Sequence, residues 1–163
     1  MESSSNAEEP KSRQAILVVD DDPDVLMFIV ATLRRGGYTV FGAQSGREAM
    51  SVLTQQKHLI GIVLTDVVMP SLNGPELAER LGAVNPDLTV LYMSGYKEEH
   101  LARFGPRLNN CSVLSKPFTP NELLGAIYKC MGPPSRSAVG RHPITTGSAI
   151  KRRGRIFTER ARS

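Results

Sequence analysis

Long apolar stretches are absent from this chain: no run approaches the roughly 18 residues that a membrane-spanning helix needs. The opening MESSSNAEEPKSR is polar and acidic and lacks the apolar core of a signal peptide. A cytoplasmic protein with no membrane contact is therefore expected. Cysteine is scarce. Cys111 and Cys130 are the only two in 163 residues. They lack metal-ligand spacing, and each reads as a small apolar residue, buried or half-buried. His58, His100 and His142 are scattered, so no zinc cluster forms from them. No internal repeat and no glycine-rich nucleotide loop occurs; Gly36 and Gly37 read as a helix stop.

The formal charge of +4 is unevenly placed. Residues 132–163 carry eight Lys and Arg against one Glu, a net of +7. Residues 15–131 carry ten against twelve, a net of −2, and the first fourteen add −1. A mildly acidic body thus bears a basic tail. KRRGR at 151–155 is basic enough to touch nucleic acid or an acidic surface. The simpler reading is a solvated, disordered terminus. Only Phe157 interleaves those charges, which leaves no stacking platform for bases.

What is present is an alternation of apolar runs and helical patterns. ILVV at 16–19 leads into DDDPDV, where Asp22 can cap a helix with Pro23 in its first turn. Val25, Leu26, Ile29, Val30 and Leu33 keep helical spacing. YTVFGA at 38–43 reads as a strand, and SGRE at 45–48 as a capping box opening a helix through Met50 and Leu53. LIGIVLT at 59–65 reads as a strand covered on both faces. NGPE at 73–76 opens a helix with Leu77, Leu81 and Val84. LTVLYMS at 88–94 is a fourth strand, a weak charged helix follows around residues 98–104, and SVLS at 112–115 is a fifth strand. TPNE at 119–122 is a second capping box before Leu123, Leu124 and Ile127. The expected division is a polar N-terminal extension over 1–14, a body over 15–131, and the tail over 132–163.

Five such units imply an α/β fold with a parallel sheet, helices on both faces and right-handed crossovers. Chemistry in these sheets gathers beyond the carboxyl ends of the strands. Asp20, Asp21 and Asp22 stand there after the first strand, Asp66 after the third, Ser94 after the fourth and Lys116 after the fifth. Carboxylates about 4 Å apart repel by roughly 4 kcal/mol at an effective dielectric of 20. A bound cation, a basic side chain reaching in, or exposure to water would offset that. Oxygen ligands of this kind suit Mg²⁺, and a carboxylate can act as a nucleophile toward phosphorus.

VVDDDPDV, LTDVVMPSLNG, YMSGY and LSKPFTPNEL closely resemble the signature segments of response-regulator receiver domains of two-component signalling, in order, across residues 15–131. The resemblance implies a flavodoxin-like (βα)5 three-layer sandwich with sheet order 2-1-3-4-5. It implies Asp66 as phosphoacceptor. Asp20 and Asp21 would hold Mg²⁺ with Asp66 and the backbone carbonyl of Val68, Asp21 being the more direct ligand of the acidic pair. Ser94 takes the switch hydroxyl position, and Lys116 binds phosphoryl oxygens, followed by a cis bond to Pro117. Val68 and Tyr96 would flank the approach of a hydrolytic water. The pattern departs at Val113, where an aromatic residue is common. YMSGY is similar to the form found in receivers attached to hybrid histidine kinases, although no kinase core is present here.

The implied function is a phosphorelay switch with no turnover of an external substrate. Its implied phosphoryl donor is a sensor histidine kinase or histidine phosphotransfer protein, and its output is contact with a downstream protein. The face formed by the helix around 98–104, the strand at 112–115 and the last helix is a candidate surface for a homodimer, and the sequence leaves open whether one forms. A haloacid-dehalogenase-like phosphatase is the competing enzyme reading, since Asp20 and Asp22 fit its spacing. Against it, Asp24 stands where that family prefers Thr or Val, and the late acidic pair is missing. Nucleic-acid binding through the tail is a third reading and is compatible with the first.

Overall fold

The computed structural model describes residues 15–95 and 112–134. The chain runs β1 (Ala15–Val19), α1 (Pro23–Arg35), β2 (Thr39–Ala43), α2 (Gly46–Gln56), β3 (Ile60–Asp66), α3 (Gly74–Val84), β4 (Thr89–Ser94), β5 (Ser112–Ser115) and α4 (Pro120–Met131). All five strands pair in parallel in the order β2-β1-β3-β4-β5. The expected helix around 98–104, Tyr96, His100, Cys111, the N-terminal extension and the tail beyond residue 134 lie outside the described residues. So does much of the candidate homodimer face.

The strand period of two divides the apolar residues between two cores. Ile16 and Val18 of β1 pack with Leu26, Ile29 and Leu33 of α1 and with Leu123 and Ile127 of α4. Ala15, Leu17 and Val19 point the other way, toward Ala49 and Leu53 of α2 and Leu77 and Leu81 of α3. Every residue of β1 is buried, as befits a strand covered on both faces. The pairing of β1 with β3 slips once: Ala15 faces Ile60, but Ile16 faces Ile62. Gly61 is the residue left over. The slip lets Ile60 enter one core while Ile62 enters the other.

Helix starts are set by side chains. Asp22 caps α1, accepting from the N–H groups of Asp24 at 2.9 Å and Val25 at 3.3 Å. Thr119 and Glu122 form the expected reciprocal box at α4. The box expected at Ser45 is only half present. Ser45 Oγ accepts from the Glu48 N–H at 3.2 Å, but the Glu48 carboxylate accepts from Gln44 N–H at 2.8 Å, one residue further back. The α1 stop is Gly37, whose φ of 91° suits glycine. Beyond α4, the Tyr38 hydroxyl donates to the Gly132 carbonyl at 3.0 Å, tying that helix end to the turn between α1 and β2. Cys130 is half-buried against the α1–α4 core.

Candidate functional site

Three strand ends converge. The Asp20 N–H donates to the Ala43 carbonyl at 3.2 Å, which fixes the residue just past β1. Its carboxylate is only 1% exposed. One oxygen, Oδ1, accepts from the Asp22 N–H at 3.0 Å; the other, Oδ2, accepts from Lys116 Nζ at 2.9 Å. Asp66 closes β3. Its Oδ1 accepts from the Val68 N–H at 3.0 Å, and its Oδ2 from the same Lys116 Nζ at 2.7 Å. Asp21 is exposed, yet it places a carboxylate oxygen in the same cluster. Single oxygens of Asp20, Asp21 and Asp66 all lie within 4.8 Å of one another.

The run of aspartates therefore has three separate jobs. Asp22 caps α1, Asp20 is the buried partner of Lys116, and Asp21 faces solvent at the mouth of the cluster. Of the offsets open in the sequence, the basic side chain reaching in is present. It is incomplete: three carboxylates against one ammonium leave a formal charge of −2. An all-oxygen donor set with that residual charge fits a hard divalent cation.

Burial, opposed by the Lys116 and Asp22 hydrogen bonds and reinforced by the Asp66 charge, holds the Asp20 carboxyl above the usual aspartate value. Burial pulls the Lys116 ammonium down, but the hydrogen bonds it donates to Asp66 and Asp20, with the charges of those carboxylates, outweigh it, and the lysine titrates above its usual range. The two directions agree with an excess of carboxylate over ammonium: the lysine keeps its proton, and the buried carboxylate resists losing its own.

Ser94 ends β4 and is 1% exposed. The Lys116–Pro117 bond is cis, as the resemblance implied. Val68 is 45% exposed beside Asp66, and Val113 is 36% exposed on β5. Asp20, Asp21, Asp66, Val68, Ser94 and Lys116 thus stand at this end of the sheet, whereas Asp22 serves the helix and Val113 lies earlier in β5. One contributor went unnoticed. Gly74 begins α3 with its N–H donating to the Val67 carbonyl at 2.9 Å, against the backbone of Asp66. Its only signal is a glycine directly after a capping Asn73, where a better helix former would normally stand.

The family model for the response regulator receiver domain matches residues 16–128. The chain belongs to that family. It is 38% identical over 116 residues to the sensor kinase CckA of Brucella abortus (strain 2308), covering 71% of this chain and 12% of that protein. It is 34% identical over 116 residues to the response regulator receiver protein CpdR of the same organism, covering 71% of this chain and 95% of that one. Among solved structures, a receiver domain protein from Clostridium thermocellum superposes with a TM-score of 0.65 at 28% identity, over 72% of this chain and 94% of that one. The receiver domain of the hybrid histidine kinase CckA gives 0.61 at 26%, over 72% and 98%. No helix among the described residues is long and apolar enough to cross a membrane.

Proposed function

We propose that residues 15–131 are a phosphoryl-accepting switch in two-component signalling, with Asp66 as the acceptor, acting in the cytoplasm. The observation that carries this is the bridge from Lys116 Nζ to Asp20 at 2.9 Å and to Asp66 at 2.7 Å, with Asp21 in the same cluster. The Asp66 carboxylate is 17% exposed, so one edge is open to a donor. Mg²⁺ would be held by Asp20, Asp21, Asp66 and the Val68 carbonyl. When bound, it supplies charge neutralisation for the transferring phosphoryl oxygens.

The residues themselves do the rest. A carboxylate oxygen of Asp66 attacks phosphorus; the new O–P bond forms as the donor's N–P bond breaks, and the electron pair leaves with the donor imidazole. The Val68 N–H orients the carboxylate. Lys116 exchanges a carboxylate for a phosphoryl oxygen, and Ser94 offers a hydroxyl to another. The donor is a sensor histidine kinase or a histidine phosphotransfer protein, and the readout is contact with a downstream protein. No external substrate is turned over. Membership of the receiver family favours this over the haloacid-dehalogenase-like reading, and the Asp22 carboxylate is occupied in capping α1.

The test is exposure of the purified protein to acetyl phosphate with and without Mg²⁺, read by intact mass. One phosphate is expected on the wild type only with Mg²⁺, and none on Asp66→Asn. Equal incorporation in the variant would move the acceptor elsewhere.

A further inference from the structure

We infer that Gly74 is a positioning residue for the phosphoacceptor site, acting through the backbone of the loop that joins β3 to α3. The inference rests on the proposed role of Asp66. The loop leaves the sheet at Asp66, carries Val68 outward, and is closed where the Gly74 N–H donates to the Val67 carbonyl at 2.9 Å. At the other end the Val67 N–H donates to the Met93 carbonyl at 2.9 Å, so the loop starts from a fixed point on β4. Val67 is fully buried, while Val68 turns out to solvent. The conformation of this short ring sets where the Val68 N–H meets Asp66 Oδ1 and where the Val68 carbonyl lies.

Gly74 needs no left-handed backbone, since the glycines with positive φ among the described residues are Gly37 and Gly132. Space is the constraint. A Cβ at position 74 would overlap the carbonyl oxygen of Asp66 and would sit 3.1 Å from the Val67 Cα and 3.2 Å from the Asp66 carbonyl carbon. All three are backbone atoms, so no side chain can rotate away to relieve the contact. Either α3 retreats or the Asp66–Val68 backbone shifts. A shift on the order of 1 Å is the scale that costs about 100-fold when it misplaces reacting groups. Gly82, further along α3, has nothing within 4 Å of its Cβ position, so alanine there tests the helix without touching the loop.

The experiment compares Gly74→Ala, Gly82→Ala and Leu81→Ala. Leu81 is fully buried between α2 and α3, so its truncation weakens the packing of α3 while leaving the loop ring intact. Mg²⁺ affinity is measured by calorimetry well below each melting temperature, beside the rate of phosphorylation by acetyl phosphate. Gly74→Ala is expected to weaken Mg²⁺ binding by about 10–100-fold, the usual effect of disturbing what orients a ligand. Gly82→Ala and Leu81→Ala should stay within about twofold of wild type, although Leu81→Ala melts lower.

Equal Mg²⁺ affinity in Gly74→Ala and wild type would overturn the inference, as would a matching loss in Leu81→Ala. If Gly74→Ala does not fold, hydrogen exchange in the wild type decides. Saturating Mg²⁺ should slow exchange of the Gly74 N–H but not that of Gly82, and no difference between them counts against the inference. Failure of the wild type to bind Mg²⁺ or accept phosphate would instead sink the functional reading itself.

Discussion

The backbone N–H of Lys116 donates to the carbonyl oxygen of Ser94 at 2.7 Å. This bond joins the ends of β4 and β5 next to the candidate phosphoacceptor. The Lys116 side chain meanwhile reaches across β4 to Asp66 on β3 and Asp20 beyond β1. A new charge on Asp66 would therefore be felt at once by the edge of the sheet. Lys116 would transmit it through its ammonium and Ser94 through its hydroxyl and carbonyl. A two-state element biased by one charge is what a phosphorylation switch needs.

Lys116→Ala should still accept some phosphate but lose phosphorylation-dependent partner binding, and Ser94→Ala should weaken the same coupling. Without metal, Lys116→Ala also leaves the buried Asp20 charge without its cation. Removing one partner of a buried pair costs about 3–5 kcal/mol, discounted here to roughly 1–3 because the lysine is partly exposed. Urea melts with a chelator should show that loss, and Mg²⁺ should recover much of it. Undiminished phosphorylation-dependent binding in both variants would remove the proposed switch.

Mg²⁺ should stabilise the unphosphorylated wild type, by about 2.7 kcal/mol at 100 times the dissociation constant. Asp21 is the exposed member of the cluster, so Asp21→Asn should erase most of the metal dependence with little disturbance of packing. Relief of repulsion should leave the variant no less stable than wild type in chelator. A melting temperature indifferent to Mg²⁺ in the wild type would show that the cluster is not a metal site.

Tyr38→Phe should cost about 0.5–1.5 kcal/mol at neutral pH, because the hydrogen bond to the Gly132 carbonyl is lost. Burial, with a smaller contribution from Tyr128, raises the Tyr38 pKa above its usual 10.0. A folded-state pKa above the unfolded one adds stability that is fully present below about pH 10 and is lost as pH rises through the folded value. The gap between wild type and Tyr38→Phe should thus be constant up to about pH 10 and shrink above it. Chemical denaturation across that range measures the gap. A gap that widens above pH 10 would mean the hydroxyl is not the anchor.

The sheet was legible because β1 and most of β3 are apolar runs and because each candidate group stands at or just past the end of a strand. The strand ends bring distant residues together, so position alone placed Asp20, Asp66 and Lys116 in one cluster. Asp22 was legible as the α1 cap from the Pro23 that follows it, but the division of roles between Asp20 and Asp21 was less so. Three identical side chains in a row differ only in the direction the backbone points them, and the capping geometry of α1 decides that. The slip at Gly61 and the contact of Gly74 with the Asp66 carbonyl left almost no trace. Both depend on the distance between two backbones, which no periodicity encodes. The Ser45–Glu48 box went half-right for a similar reason: a glutamate carboxylate can reach either of two neighbouring N–H groups.

The phosphorylated form should be long-lived for a receiver. Hydrolysis needs a water held in line behind phosphorus. Val68 stands two residues beyond Asp66, its N–H on the Asp66 carboxylate at 3.0 Å and its side chain 45% exposed. An isopropyl group there offers no hydrogen bond to a water. The second position expected to flank the approach, Tyr96, lies outside the described residues; its side chain carries neither carboxylate nor amide. Loss of water positioning worth roughly 1.4–2.7 kcal/mol slows the step about 10–100-fold. Val68→Asn supplies both a donor and an acceptor at the same place, and Tyr96→Glu supplies a carboxylate. Loss of phosphate from purified protein, followed by intact mass, should be faster in the double variant by about that factor. A lifetime equal to that of the wild type would show that neither position governs access of water to the phosphorus.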